Sequence, residues 1–129
     1  RAHLYRAVLE GIAYEQLFVL NSVEDSVGIR IRELVAIGGG AKSRFWCQII
    51  ADITGKNVLI PKTSEASALG AAISAAVGAG IYLNFKSAAQ NMTSVKSIVK
   101  PILSNNKHYK KLFSSYTRIY PAIKHIIKE

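Results

Sequence analysis

Gly38-Gly39-Gly40 lies between the apolar run Leu34-Val35-Ala36-Ile37 and the segment Ala41-Lys42-Ser43-Arg44-Phe45-Trp46, and this junction constrains the fold more than any other stretch. Four consecutive apolar residues read as a short strand covered on both faces. Three glycines open backbone conformations closed to other residues and allow a ligand to come close to the main chain. The residues that follow read as the start of a helix, whose first N–H groups lack intrahelical partners and carry the positive end of the helix dipole. Such a turn is a ready anion site, and the commonest biological anion at one is a nucleotide phosphate. A plain tight strand-to-helix turn also favours glycine, so these residues alone leave both readings open.

Around the junction, helical and extended patterns alternate. Leu4, Ala7, Val8, Gly11 and Ile12 recur at helical spacing and predict an amphipathic helix over residues 1–21. Gly11 inside it costs about 1 kcal/mol against alanine, which points to close packing there. Residues 21–32 are polar, contain Gly28 and read as a helix end and connection. After the junction, a helix over residues 43–54 is expected to bury Phe45, Ile49, Ile50 and Ile53, and Gly55 is placed to end it in a left-handed cap. Val58-Leu59-Ile60 is a second short strand closed by Pro61. Thr63 or Ser64 caps a third helix, with Glu65 in its first turn; it is rich in small residues from Leu69 to Val77 and stops at Gly78-Ala79-Gly80. The order helix, strand, helix, strand, helix predicts an α/β fold with parallel strands flanked by helices.

Beyond Tyr82 the character changes. Residues 87–92 read as a short helix and residues 95–100 as a solvent-facing edge strand stopped by Pro101. A last helix spaces Tyr109, Leu112, Phe113, Tyr116, Ile119, Tyr120, Ile123 and Ile127 as one apolar stripe, with Pro121 expected to kink or restart it. Charge divides at the same place. Residues 1–83 hold eight Lys/Arg against seven Asp/Glu, whereas residues 84–129 hold nine against Glu129 alone. Such a basic half raises the prospect of a nucleic-acid partner. Its cations flank an apolar stripe, however, and no DNA- or RNA-reading motif appears, so no nucleic-acid partner is expected.

At 129 residues the chain fits one domain. It opens at Arg1 already inside a helical pattern, which suggests a piece of a longer protein. No membrane partner is expected, because the apolar stretch 71–83 is too short and too rich in Ala and Gly to span a bilayer. Cys47, the single cysteine, excludes an internal disulfide, fits a cytoplasmic setting, and sits where a small packed hydrophobe belongs. Familiar chemistry is missing: Ser43 stands where G-x-G-x-x-G needs its third glycine, and Gly55-Lys56-Asn57 is not a P-loop. His3, His108 and His125 are too dispersed for a metal site, so none is assigned. Asp52 and Glu65, the carboxylates nearest the junction, read as helix surface or cap, and no catalytic residue is assigned within the chain.

The segment from Gly38-Gly39-Gly40-Ala41-Lys42-Ser43 through Trp46-Cys47-Gln48 to Asp52-Ile53-Thr54-Gly55 closely resembles the Gly-Gly-Gly-Ala segment of the FGGY carbohydrate kinases. His3-Leu4-Tyr5-Arg6-Ala7-Val8-Leu9-Glu10-Gly11 is similar to the closing half of that family's second signature. Glu65-Ala66-Ser67-Ala68-Leu69-Gly70-Ala71-Ala72 matches its small-residue helix, and the Tyr109, Tyr116, Tyr120-Pro121 ending resembles the xylulokinase-like branch. The resemblance implies an actin-like (ribonuclease H-like) ATPase fold, here the incomplete second domain of a sugar kinase over residues 1–129, with residues 84–129 as a basic strand and helix extension. It implies ATP and Mg²⁺ as cofactors, and Gly38, Gly39, Gly40, Ala41 and Ser43 as the nucleotide contacts. It also implies a catalytic aspartate upstream of Arg1, and a sugar substrate, xylulose first, held by a further domain. The chain alone is then expected to be inactive, and a sheet edge left unpaired offers a route to a homodimer. Two other readings compete: a basic nucleic-acid module, and an actin-like ATPase that acts on no sugar.

Overall fold

A computed structural model of the chain describes residues 1–127, the side chain of Ile127 excepted, so that residue's place in the apolar stripe lies outside the described residues. The first helix, α1 (Ala2–Val27), is longer than expected. It takes in the polar stretch after Asn21 and ends where Gly28 turns left-handed at φ 71°, its N–H donating to the Glu24 carbonyl. Its buried side is also not the expected one. Ala13, Tyr14, Leu17, Leu20 and Glu24 face the core, whereas Leu4, Val8 and Ile12 are exposed. Two sides of α1 carry apolar residues at helical spacing, and contact with the rest of the chain chooses between them. Gly11 lies on the open side: a Cβ there would meet nothing within 4 Å, so close packing does not explain it.

Strands β1 (Glu33–Val35) and β2 (Asn57–Pro61) pair in parallel with Leu34 opposite Val58, and the Ala36 N–H extends the ladder by donating to the Leu59 carbonyl. The crossover between them is α2 (Arg44–Thr54), which buries Cys47, Ile49, Ile50 and Ile53 as an amphipathic crossover should. Phe45, expected in that stripe, lies instead on the surface, with the Arg6 guanidinium 5.9 Å from its ring centre. Gly55 closes α2 at φ 70°, as expected, and the Asn106 amide lies where a Cβ would crowd it, at 3.0 Å.

Helices α3 (Ala66–Gly78) and α4 (Phe85–Met92) pack on each other before the chain returns as β3 (Val95–Val99). Glu65 occupies the N-cap position of α3, not its first turn, and no side chain caps that helix. Of its small residues only Ala76 is fully buried; Ala68, Ala71, Ala72 and Ala75 remain exposed, so the expected close approach is confined to one side. Strand β3 runs antiparallel to β2, giving a mixed sheet in the order β1-β2-β3; the expected parallel arrangement holds for the first two strands. Leu34, Ala36, Val58, Ile60 and Val99 face the core, while Val35 and Ile37 are exposed, so β1 is covered on one face and not on both.

Helix α5 (Leu103–Ile127) lies over α1 and α2 and runs through Pro121 without a break. Tyr109 is buried, and Tyr14 of α1 stacks on Tyr116 and Phe113 at centroid distances of 5.0 and 5.9 Å. Leu112, Ile119, Tyr120 and Ile123 are exposed, so the core takes only the first half of the stripe. Asp52, expected at the surface or as a cap, is a buried cap. Its carboxylate accepts from the Ile102 N–H (2.7 Å), Asn105 (2.8 Å) and Gln48 (2.8 Å), fastening the start of α5 to α2. The Tyr14 hydroxyl, by contrast, is buried and has no partner among the described residues. Tyr14→Phe is therefore expected to leave stability unchanged or raise it by up to about 1 kcal/mol in urea unfolding. A loss of that size would mean the hydroxyl is bonded.

Candidate functional site

Past β1, Gly38 takes φ 75° and ψ −163°, a region that only glycine occupies without strain. Its N–H reaches the Ser64 carbonyl at 3.4 Å, which ties the turn to the loop after β2. Gly39–Lys42 then form a single 3₁₀ turn, where the sequence suggested direct entry into α2. Ala41 N–H donates to the Gly38 carbonyl and Ser43 N–H to that of Gly40, at 3.2 and 3.1 Å. The N–H groups of Gly39 and Gly40 open the turn and have no acceptor within it. Ser43 is the N-cap of α2, its Oγ accepting from the Trp46 N–H at 3.2 Å.

The three glycines have different grounds. Gly38 needs its dihedral angles. At Gly40 a Cβ would stand 3.2 Å from Trp46 Cδ1, so a side chain there would require the indole to shift by a few tenths of an ångström. At Gly39 the φ is ordinary and a Cβ would meet nothing within 4 Å, so nothing inside the described chain requires glycine there. Beneath the turn, the buried Cys47 sulfur lies 3.8 Å from the Ala41 carbonyl oxygen and 4.0 Å from that of Gly40. Burial pushes its thiol pKa up, which fits the packing role expected of it.

The turn stands at the carboxyl ends of the two parallel strands, where open α/β sheets bind ligands. A cavity of about 330 Å³ between α1, β1 and α2 reaches Gly40, Ala41 and Trp46. The structure thus gathers Gly38, Gly39, Gly40, Ala41 and Ser43 in one place. Asp52 is engaged by α5, and Glu65 accepts from Ser64 Oγ at the surface. Among the described residues, no three His, Cys, Asp or Glu side chains gather as a metal-ligand set, and no helix is long and apolar enough to cross a membrane.

Glu24, which looked like part of a polar connection, is buried at the foot of α1. It accepts from Lys56 Nζ at 2.6 Å, Arg30 at 2.9 Å and the Ile31 N–H at 2.7 Å, holding the segments that lead into β1 and β2. Lys56 first, then Arg30, lowers its pKa to about 2. A depressed carboxylate stabilises the fold above its unfolded pKa of about 4.3 and loses that contribution as pH falls through the folded value. Acid titration of thermal stability should show a decline from about pH 5 towards pH 2 that Glu24→Gln flattens. An equal decline in the variant would assign it to other carboxylates.

The architecture is that of the actin-like ATPase fold. The crystal structure of Plasmodium falciparum glycerol kinase with ADP matches with a TM-score of 0.81 and 26% identity, over 95% of this chain and 24% of that one. Residues 1–79 match the C-terminal domain of the FGGY family of carbohydrate kinases, and the chain belongs to that family. It is 35% identical over 126 residues to the xylulose kinase of Staphylococcus epidermidis, covering 98% of this chain and 25% of that protein. It is 33% identical over 120 residues to the autoinducer-2 kinase of Klebsiella pneumoniae, covering 93% and 23%. The chain thus spans about a quarter of the length of the relatives it matches.

Proposed function

We propose that this chain is the nucleotide-holding C-terminal domain of a cytoplasmic, ATP-dependent carbohydrate kinase, and that the 38–41 turn holds the ATP phosphates. The observation that carries this reading is Gly39, a glycine that the chain's own packing does not require, beside N–H groups without acceptors in the turn. In this reading, Gly39 and Gly40 donate to phosphate oxygens and Gly38 aims them, while Ala41, buried with its N–H on the Gly38 carbonyl, supports the turn from within. Ser43 offers the hydroxyl proton that capping leaves free. Donors fixed before the nucleotide arrives need no rearrangement as charge shifts during phosphoryl transfer.

The described residues form no ligand set for Mg²⁺, which would be held by phosphate oxygens and by groups outside them. The catalytic base and most sugar contacts would likewise lie outside this chain, so the chain alone is expected to phosphorylate nothing. Xylulose is the substrate we favour, on the likeness to a xylulose kinase. The autoinducer-2 and glycerol kinases among the similar proteins give that choice less support than the nucleotide reading.

Amide NMR of the chain with Mg-ATP tests the turn. The largest shifts are expected at Gly39 and Gly40. Shifts confined to the basic residues 84–129, or none at all, would contradict the reading.

A further inference from the structure

A second cavity, of about 360 Å³, lies between the start of α2, the end of β2 and the length of β3. All its charged lining is of one sign: Lys42 from the turn, Arg44 from α2, Lys62 from the loop after β2 and Lys96 from β3. No carboxylate lines it, and among the described residues none of these four cations is in an ion pair, although Arg6, Arg30 and Lys56 elsewhere all are. Glu65, the acidic residue closest in sequence to Lys62, is bonded to Ser64 and pairs with none of them. Ser97 adds a hydroxyl to the lining. The four exposed cations come from separate segments yet line one cavity, so an anion there can meet several of them at once. The volume is at the small end of small-molecule sites, which favours a compact ligand over a nucleic-acid strand.

We propose that this cavity binds a small, multiply charged phosphate anion. The proposal stands on the four cations and does not depend on the nucleotide reading of the turn. Two sources share this chemistry, the phosphate tail of a nucleotide and a separate phosphorylated small molecule.

Calorimetric titration of the 129-residue chain with pyrophosphate at about 50 mM salt, where phosphate contacts are strong, tests it. One equivalent is expected to bind. The surface variant K62Q/K96Q should weaken binding about tenfold or more, with an unchanged melting temperature, because it removes two phosphate contacts. K107Q/K110Q makes the same charge change on α5 and should leave affinity within about twofold. Absence of pyrophosphate binding, or equal losses in both variants, overturns the proposal. Tighter binding of a short oligonucleotide that K107Q/K110Q abolishes overturns it in favour of a nucleic-acid surface. ATP that displaces pyrophosphate assigns the anion to a nucleotide tail, and simultaneous binding of both assigns it to a separate ligand. Pyrophosphate binding without any ATP binding upholds the cavity and removes the reading of the turn.

Discussion

Asp52→Ala is expected to lower the unfolding free energy by about 3–5 kcal/mol, since hydrogen bonds to a buried charged acceptor each contribute about 1.5–3 kcal/mol. Asp52 is 3% exposed, and its carboxylate accepts three hydrogen bonds, one from the Ile102 N–H at the head of α5. Alanine leaves that N–H and the Asn105 amide without their acceptor in a site water reaches poorly. Small domains have about 5–15 kcal/mol in all, so the variant should sit near the edge of stability. Asp52→Asn retains one acceptor oxygen but turns an N–H₂ towards another donor, and an intermediate loss is expected. Urea midpoints at neutral pH measure both. A loss below about 1 kcal/mol for the alanine variant, within the range of an ordinary surface change, would show that α5 does not depend on this cap.

The second large effect falls on binding and not on stability. Gly39→Val adds a side chain where a Cβ meets nothing within 4 Å and φ is ordinary, so the melting temperature should barely move. The same side chain would stand in the path of a phosphate on the turn. Loss of two charge-assisted N–H contacts, about 1.5 kcal/mol each at the least, corresponds to roughly a hundredfold loss of ATP affinity. Gly38→Val is the useful contrast. Its φ of 75° with ψ −163° makes a side chain strained by about 1–3 kcal/mol, so it should lose stability and nucleotide together. Equal ATP affinity in Gly39→Val and the parent, measured by equilibrium dialysis, would remove the turn from the site.

The elements around the turn were legible because their signals are local. Gly55 ends α2 in a left-handed cap as its position suggests, Pro61 marks the end of β2, and the glycine run separates β1 from α2. What could not be read depends on partners far along the chain. Glu24 looks like a solvated residue until Lys56 and Arg30 close on it, and Asp52 like a surface residue until α5 arrives fifty positions later. The inward side of α1 follows the same rule: Leu4, Val8 and Ile12 form as good an apolar row as Ala13, Tyr14 and Leu17, and only contact with α2 and α5 decides between them. The direction of β3 is likewise a matter of topology, since an alternating strand pairs either way. Within the candidate turn, the separate grounds of the three glycines could not be read from sequence. That Gly40 makes room for Trp46, while Gly39 makes room for nothing in the described chain, is visible only in three dimensions.

Trp46 is the single tryptophan, and its indole lies against Gly40 on the turn. Its fluorescence during titration of the chain with Mg-ATP therefore tests the central claim most directly, with a short oligonucleotide as the comparison. A saturable response to ATP that Gly39→Val abolishes, with none to the oligonucleotide, is the result expected of a phosphate-holding turn. A flat response to ATP from the folded chain, or a response to the oligonucleotide alone, would contradict it.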